Sequence, residues 1–259
     1  MTTESITRPV KSTLVGVQNF SLLVGRTVAS FFRPPFYLRD TFVQMDAIGV
    51  QSLAIVCLTG VFTGMVLALN SAVQLADFGA SAFVGKLVGA SVVRELGPVL
   101  TALMVTGRVG SGIAAEIGSM RVGEQIDALE AMGTDPIKKL VKPRVLAGIV
   151  MLPVLTIVCD AIAIFGGNLI AWLSLSQDFS TYWNAVWSGL YLSDLFTGVF
   201  KPLVFGFIIT TVACYRGLRT TGGTEGVGRA TTQSVVVSSV LVLSTDFFLT
   251  KMFIEIFGH

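Results

Sequence analysis

Charged side chains occur inside the most apolar parts of this sequence, and their chemistry has to be explained first. Arg94 and Glu95 lie in the stretch SVVRELGPVL, next to Gly97-Pro98. Three more charges interrupt later apolar stretches, at Asp160, Lys201 and Asp246. In a lipid bilayer, ionised side chains are costly unless they are compensated, and those present often mark the path of a substrate or an ion.

Metal-centred and nucleotide chemistry have no support in the sequence. The only histidine is His259, and the three cysteines (Cys57, Cys159 and Cys214) lie far apart within apolar stretches, where they are most simply packing residues. The stretch GASAFVGK at 79–86 has one residue too many for a phosphate-binding loop, and Leu87 stands where a magnesium-binding Ser or Thr belongs. We therefore predict no metal, no cofactor and no catalytic residue.

The composition indicates the solvent that surrounds the charged residues. The chain is 53% hydrophobic and only 13% charged, whereas soluble domains carry about 25% charged residues. Residues 47–76 form a run of 30 residues without Asp, Glu, Lys or Arg, and about 20 apolar residues suffice to cross a bilayer. The sequence therefore predicts an all-α membrane protein.

The apolar runs predict five transmembrane helices, at about 48–74, 83–107, 145–175, 196–215 and 230–253. Fourteen of the 18 Lys and Arg residues lie before the first, between the second and third, or between the fourth and fifth of these spans. The opposite loops, near 75–82 and 176–195, contain no Lys or Arg. By the positive-inside rule, the N-terminus is predicted to be cytoplasmic and the C-terminus to lie outside.

The five intramembrane charges are predicted to share one depth. Each lies 13–17 residues from a cytoplasmic arginine, which corresponds to about 20–26 Å along a helix. Two positive and three negative side chains from four helices can compensate one another there. Two interpretations stay open: salt bridges that hold the bundle, or the edge of a cavity for an amphipathic ligand. Gly97-Pro98 should also break its helix and free backbone carbonyls that need a polar neighbour.

The N-terminal segment, residues 1–40, is predicted to form a helix in the cytoplasmic membrane interface, ahead of the membrane domain at 41–259. Arg33-Pro34-Pro35 should end this helix. A signal peptide fits less well, because polar residues interrupt the apolar core and no A-x-A cleavage site follows. The apolar positions that would face the lipid are Leu14, Val17, Phe20, Val24, Val28 and Phe31.

The segment 108–144, between the second and third spans, contains the most polar part of the chain. Ile126, Leu129 and Met132 recur every three residues and predict a short amphipathic helix. Gly133 should end that helix, and Asp135-Pro136 should begin a second short one. The segment either packs on its own bundle or docks a cytoplasmic partner.

Two long stretches carry a resemblance to a known family. The stretch GRVGSGIAAEIGSMRVGEQIDALEAMGTDPIKKLVKPRVLA, at 107–147, resembles the MlaE-type permeases, as does RELGPVLTALMVTGR just upstream. These permeases are membrane subunits of ABC transporters that move phospholipids between the bacterial inner and outer membranes. The similarity covers nearly the whole chain, including RATTQSVVVSSVLVLSTDFFLT near its end. Related chains serve mycobacterial and chloroplast lipid importers, so the resemblance leaves the lipid and the transport direction open.

The resemblance implies roles for particular residues. Segment 108–144 would be a coupling segment seated in a separate ATPase, with contacts from Glu116, Glu124, Gln125, Asp127, Leu129 and Glu130. Four intramembrane charges match positions near a lipid cavity: Arg94, Glu95, Lys201 and Asp246. Asp160 is not matched. Independently of the resemblance, the GxxxG spacing of Gly60 and Gly64 in the first span predicts that another helix approaches closely. Two interpretations stay open for the apolar residues Val66, Leu69, Val73 and Leu75: contact with acyl chains in the cavity, or ordinary lipid-facing or core packing.

We therefore predict the permease subunit of an inner-membrane ABC transporter that moves phospholipids and maintains outer-membrane lipid asymmetry. The alternative is a related MCE-type importer of sterols, fatty acids or other hydrophobic compounds. The expected partners are a cytoplasmic ATPase, an MCE-type periplasmic lipid-binding subunit and a second copy of the chain, because ABC ATPases work in pairs.

Two other classes of membrane protein fit the sequence less well than a permease. An intramembrane aspartyl protease could use Asp160 and Asp246, but the flanking sequences lack a Gly-x-Gly-Asp motif. An ion-coupled secondary transporter could use the charged layer as a relay, but no internal repeat is visible.

Overall fold

The computed structural model describes residues 4–76, 78–175 and 177–257 of the 259-residue chain, with side chains from residue 14 onward except that of residue 175. Across those ranges the chain is helical and contains no strand. The helices are α1 (Glu4–Phe31), α2 (Leu38–Ile48), α3 (Leu53–Ala76), α4 (Val84–Ser91), α5 (Gly97–Val105), α6 (Ser111–Val122), α7 (Gln125–Ala131), α8 (Lys142–Leu175), α9 (Phe179–Gly189), α10 (Leu192–Leu218) and α11 (Gly223–Phe257). His259 lies outside the described residues.

Within the described residues, four continuous helical segments are long and apolar enough to cross a membrane. They are Leu38–Ala76, Ser81–Val122, Ile137–Ser174 and Leu192–Leu218. These segments cover the first four predicted spans to within one residue, and each begins earlier in the chain than the span it covers. Single π-helical turns at Val92–Leu96 and Thr106–Gly110 join α4, α5 and α6 into one of these segments.

The fifth predicted span falls within α11, which is 35 residues long. Its small polar side chains face the bundle: Ser238 is fully buried, and the Ser234 hydroxyl donates to the Gly110 carbonyl oxygen at 3.2 Å. At its far end, Phe253 packs edge-on against Phe200 of α10, with ring centroids 5.7 Å apart. Helix α11 therefore runs antiparallel to α10 along nearly its whole length.

Helices α3 and α8 pack closely through the predicted glycine pair. A Cβ atom added to Gly60 would lie 3.0 Å from the carbonyl oxygen of Cys159, and one added to Gly64 would overlap the carbonyl of Ala163. Any side chain at either position would therefore push the two backbones apart. The prediction of a close helix approach at this pair is confirmed.

The N-terminal helix α1 ends at Phe31, two residues before Arg33-Pro34-Pro35, as predicted. Among its described side chains, from residue 14 onward, the buried ones are the small residues Thr27 and Ser30. The apolar positions Leu14 and Val17 are exposed, so much of the predicted stripe does not pack on the bundle. The placement of α1 in the membrane interface stays a prediction.

Helix α9 occupies the region that the sequence interpretation treated as an outer loop. It spans only 11 residues, too few to cross a bilayer, and it contains no Lys or Arg. Tyr182 and Val186 of α9 are fully buried against α4, where Gly85 and Gly89 let the two helices come close. A short helix of this kind is hard to predict because its burial depends on a distant glycine pair.

Candidate functional site

The centre of the candidate site lies at Gly97-Pro98, where the predicted helix break proves to be a distortion within a continuous helical segment. Proline has no N–H, so Pro98 cannot donate to the carbonyl of the residue four positions earlier, Arg94. The chain adapts by forming the π turn at Val92–Leu96, which includes this residue. The ammonium group of Lys201 on α10 donates to the freed Arg94 carbonyl oxygen at 3.1 Å. The polar neighbour that the sequence predicted for the freed carbonyl is thus Lys201, itself one of the predicted site residues.

Lys201 holds three helices together at this level. Its side chain is 0% exposed, and its Nζ lies 2.6 Å from Glu95 Oε2 and 3.0 Å from Asp246 Oδ1. The hydroxyl of Thr250, 2.7 Å from the same Nζ, also lies 3.1 Å from Glu95 Oε1. A buried ammonium needs such partners, because an unpaired charge away from water is strongly destabilising. The structure therefore brings together three of the four charges that the sequence assigned to this site.

The side chain of Arg94 has a different partner, which the sequence interpretation missed. Its Nε lies 2.7 Å from Asp194 Oδ1 and its Nη2 lies 3.0 Å from Asp194 Oδ2. Asp194 also accepts a hydrogen bond from the backbone N–H of Tyr191 at 2.9 Å, which caps the start of α10. A sequence signal existed: Asp194 precedes Lys201 by seven residues, two helical turns, and so shares its helix face.

Asp160 is buried at the same level but belongs to neither ion pair. A Cβ atom added to Gly97 would lie 1.6 Å from Asp160 Oδ1, so the carboxyl group packs directly on the glycine backbone. That oxygen is buried without a hydrogen-bond partner, and Asp160 forms no ion pair within the described ranges. The depth predicted for Asp160 fits this position.

An open cavity of about 130 Å³ lies beside the ion pairs. Its lining includes the polar side chains of Arg94, Glu95 and Thr250 and the apolar side chains of Phe253 and Ile254. The Glu95 side chain is 40% exposed, in contrast to the fully buried Lys201. Lys201 therefore has a structural position, while Glu95 presents charge to the cavity. The cavity thus places polar and apolar groups next to each other.

The apolar wall predicted from the first span is only partly an open surface. Val66, Leu69 and Val73 are exposed along α3. Leu75 is half-buried and packs against a core cluster that includes Ala72 and Tyr182. The first three residues are free to contact acyl chains or another helix, while Leu75 mainly supports the fold.

The predicted coupling segment contains helix α7, which the structure places as the spacing predicted. Gly133 has φ +75°, and the Thr134 N–H donates to the Leu129 carbonyl oxygen at 3.0 Å, which ends the helix. The Asp135 carboxylate accepts from the Ile137 N–H at 2.9 Å and starts the next helix. The prediction that this next helix is short and separate was wrong. No residue after Pro136 breaks it, and it continues through a π turn into α8.

The residues assigned to ATPase coupling fall into two groups. Glu116 pairs with Arg144 at 2.7 Å, Asp127 pairs with Arg121, and Leu129 packs against the protein's own core. Glu124, Gln125 and Glu130 are exposed, as is Met132, with 72% of its surface accessible. The apolar positions are thus divided: Ile126 and Leu129 face the bundle, and Met132 faces outward.

No group of three His, Cys, Asp or Glu side chains in the described ranges could hold a metal ion. The site combines partly buried ion pairs, a π-helical turn and a cavity lined by polar and apolar side chains.

Comparison with known proteins gives consistent matches across the chain. The family model described as Permease MlaE matches residues 41–252. A probable ABC transporter permease protein of Rickettsia conorii is 44% identical over 240 residues, 93% of each chain. The intermembrane phospholipid transport system permease protein MlaE of Haemophilus influenzae is 38% identical over 255 residues, covering 91% of this chain and 98% of the relative. The chloroplastic protein TRIGALACTOSYLDIACYLGLYCEROL 1 of Arabidopsis thaliana is 33% identical over 234 residues, 90% of this chain and 67% of the relative.

Proposed function

Because the chain belongs to the MlaE permease family, we propose that it is the membrane subunit of an ABC transporter that moves phospholipids between the inner and outer membranes. Such transport would maintain the lipid asymmetry of the outer membrane. The ATP hydrolysis is supplied by a separate ATPase subunit. The similarity to a phospholipid transport permease of Haemophilus influenzae supports the choice of substrate.

The observation that carries the proposal is the amphipathic cavity beside the Lys201 ion pairs. Glu95 and Arg94 supply polar groups to its lining, and Phe253 and Phe257 of α11 supply apolar ones. A phospholipid has the matching division into a charged headgroup and acyl chains. Movement of the helices that line the cavity would change its shape and release the lipid, and ATP-driven closure of the ATPase pair would supply the bias between the two shapes.

We further propose a five-span topology, with the N-terminus in the cytoplasm and the C-terminus in the periplasm. The antiparallel course of α11 along α10 supports a fifth crossing, since α10 is itself apolar enough to span. The proposed partners are the ATPase, a periplasmic MCE-type lipid-binding subunit and a second copy of this chain. One chain offers one coupling segment, so a pair of ATPases needs two permeases.

The decisive experiment is ATP-dependent lipid transfer by the permease co-purified with its ATPase and reconstituted into vesicles. Labelled phosphatidylethanolamine, a labelled sterol and a labelled fatty acid are offered separately, with purified MCE-type subunit as the partner that exchanges lipid. We expect ATP-dependent movement of the phospholipid only. Movement of the sterol or the fatty acid without phospholipid would favour the alternative, an MCE-type importer of hydrophobic compounds.

Two variants connect this transport to the cavity. Glu95→Gln should keep normal membrane level and assembly, because Glu95 is partly exposed to the cavity and water can screen the change. It should lose most transport, because the cavity loses the negative charge that Glu95 presents to it. Lys201→Met should reduce assembly as well, because unpairing a buried charge cluster costs roughly 3–5 kcal/mol. Arg229→Gln, an exposed change remote from the cavity, is the control. Normal transport by Glu95→Gln would remove the cavity from the lipid path.

A further inference from the structure

A second, larger hollow lies near the other end of the bundle, away from the Lys201 ion pairs. We call it the arginine groove. It has a volume of about 1070 Å³, is open to the outside, and lies between α1, α10 and α11. Its lining includes three arginines, and Tyr215 forms the wall that ties α1 to α10, because its hydroxyl donates to the Gly16 carbonyl oxygen at 2.9 Å. The arginines are Arg121, Arg216 and Arg219.

Two of these arginines carry charge that no carboxylate neutralises. Arg216 donates to the side-chain oxygen of Gln233 at 3.1 Å, and Arg219 donates to the Tyr215 hydroxyl at 2.9 Å. Both acceptors are neutral, and neither arginine takes part in an ion pair within the described part of the chain. The buried Nε of Arg216 has no hydrogen-bond partner. Guanidinium groups left in this state are ready to bind a phosphate group through two N–H donors.

The groove becomes apolar with depth. Val212 lies one helical turn deeper than Arg216 along α10, and Val237 and Leu241 lie one and two turns deeper than Gln233 along α11. Each of these four-residue steps corresponds to about 6 Å along the helix axis. Phe20 of α1 closes the side and packs edge-on against Tyr215, with ring centroids 5.3 Å apart. The arginines at the mouth and the apolar side chains deeper in the groove match an amphiphile with an anionic headgroup.

We propose that the arginine groove binds an anionic phospholipid of the cytoplasmic leaflet, with its phosphate on Arg216 and Arg219 and an acyl chain along Val237 and Leu241. This lipid is a resident ligand, distinct from the cargo in the cavity beside Glu95. By filling the space between α1 and the bundle, it would hold the N-terminal helix in place. The positive-inside charge bias of the sequence supports a cytoplasmic position for these arginines.

The test uses the full-length permease in complex with its ATPase, stripped of lipid in detergent and titrated with phosphatidylglycerol or phosphatidylcholine. Native mass spectrometry counts the retained lipids. We expect one phosphatidylglycerol per chain to be retained in preference to phosphatidylcholine. Arg216→Gln/Arg219→Gln should weaken that binding about 30-fold, since each arginine near the headgroup contributes a factor of about 5 and the two factors multiply. Equal retention of both lipids by the unmodified protein would overturn the proposal without any variant.

Two control variants distinguish a bound lipid from a free anion and from a second copy of the chain. Arg39→Gln/Arg229→Gln removes the same charge from exposed positions outside the groove and should leave phosphatidylglycerol binding unchanged. Val237→Trp fills the apolar slot and should weaken phosphatidylglycerol binding while leaving competition by inorganic phosphate unchanged. If phosphate alone competes and the tryptophan has no effect, the groove is a free-anion site. If the arginine variant changes only the monomer–dimer ratio, the groove is a contact between copies. Either result refutes the lipid assignment.

Discussion

Lys201 and Glu95 form one ion pair, yet the two residues differ in what surrounds them. Lys201 has no exposed surface and contacts a backbone carbonyl, two carboxylates and a hydroxyl. Glu95 keeps part of its carboxylate at the cavity. The two interpretations that the sequence left open, structural bridge and cavity edge, therefore apply to different members of the same cluster. Asp246, buried more than Glu95 and less than Lys201, lies between these extremes.

The contact between Gly97 and Asp160 predicts how a substitution at Gly97 changes the stability of the permease. Gly97→Ala should destabilise the permease by about 1–3 kcal/mol, because the new methyl group would overlap the Asp160 carboxyl group and overpack the helix contact. Thermal unfolding of the detergent-purified permease measures the effect. Gly107→Ala is the matched control: it lies in the same helical segment, and a methyl group there meets nothing within 4 Å.

The double variant Gly97→Ala/Asp160→Ala tests the cause of that loss. Shortening Asp160 removes the overlapping oxygen, so the double variant should recover part of the stability lost in Gly97→Ala. A double variant no more stable than Gly97→Ala would show that the nearby Val92 carbonyl, rather than Asp160, excludes a side chain at this position.

Sequence reasoning predicted the depth of the charges better than their pairing. Counting residues from cytoplasmic arginines placed Glu95, Lys201 and Asp246 at one level, and rigid helices with a fixed rise made that count reliable. Pairing depends on the rotation of each helix, which residue counts do not give. The sequence interpretation did not include Asp194 in the site, because the predicted fourth span began at residue 196 and left this carboxylate in a loop.

Helix α7 shows how an amphipathic pattern can be correct while its partner stays undetermined. The spacing of Ile126, Leu129 and Met132 predicted a helix, and α7 is present. Apolar periodicity identifies a face that seeks burial, but it does not say against what. Ile126 and Leu129 face the protein's own core, whereas Met132 lies at the exposed end of the helix. Any docking of an ATPase must therefore use the polar outer surface together with Met132.

This division predicts opposite results for two substitutions in the coupling segment. Met132→Asp should abolish co-purification of the ATPase while the permease stays at its normal membrane level, because only the outer surface changes. Leu129→Asp should lower the level of the permease itself, because it places a carboxylate against the core. Immunoblots of membranes and of the affinity-purified complex measure both. Full ATPase recovery with Met132→Asp would place the docking surface elsewhere.

At the scale of the whole molecule, the remaining question is whether α11 crosses the membrane. The buried residues of α11 form a mixed small, polar and apolar face, made of Ala230, Ser234, Ser238, Val242 and Phe253. The Ser234 hydroxyl donates to the Gly110 carbonyl oxygen, whereas the buried Ser238 hydroxyl has no hydrogen-bond partner among the described residues. The aromatic contacts near Phe253 place the end of α11 beside the start of α10.

Cysteine labelling of intact cells distinguishes five spans from four. Single cysteines replace Ser180, Thr221 or Glu255, three exposed positions, in a background lacking Cys57, Cys159 and Cys214. With five spans, an impermeant thiol reagent added from outside should label Ser180→Cys and Glu255→Cys, and should label Thr221→Cys only after the membrane is opened. With four spans, Glu255→Cys would instead behave like Thr221→Cys. Because α11 follows α10 from a short turn to its opposite end, we expect Glu255→Cys to label together with Ser180→Cys.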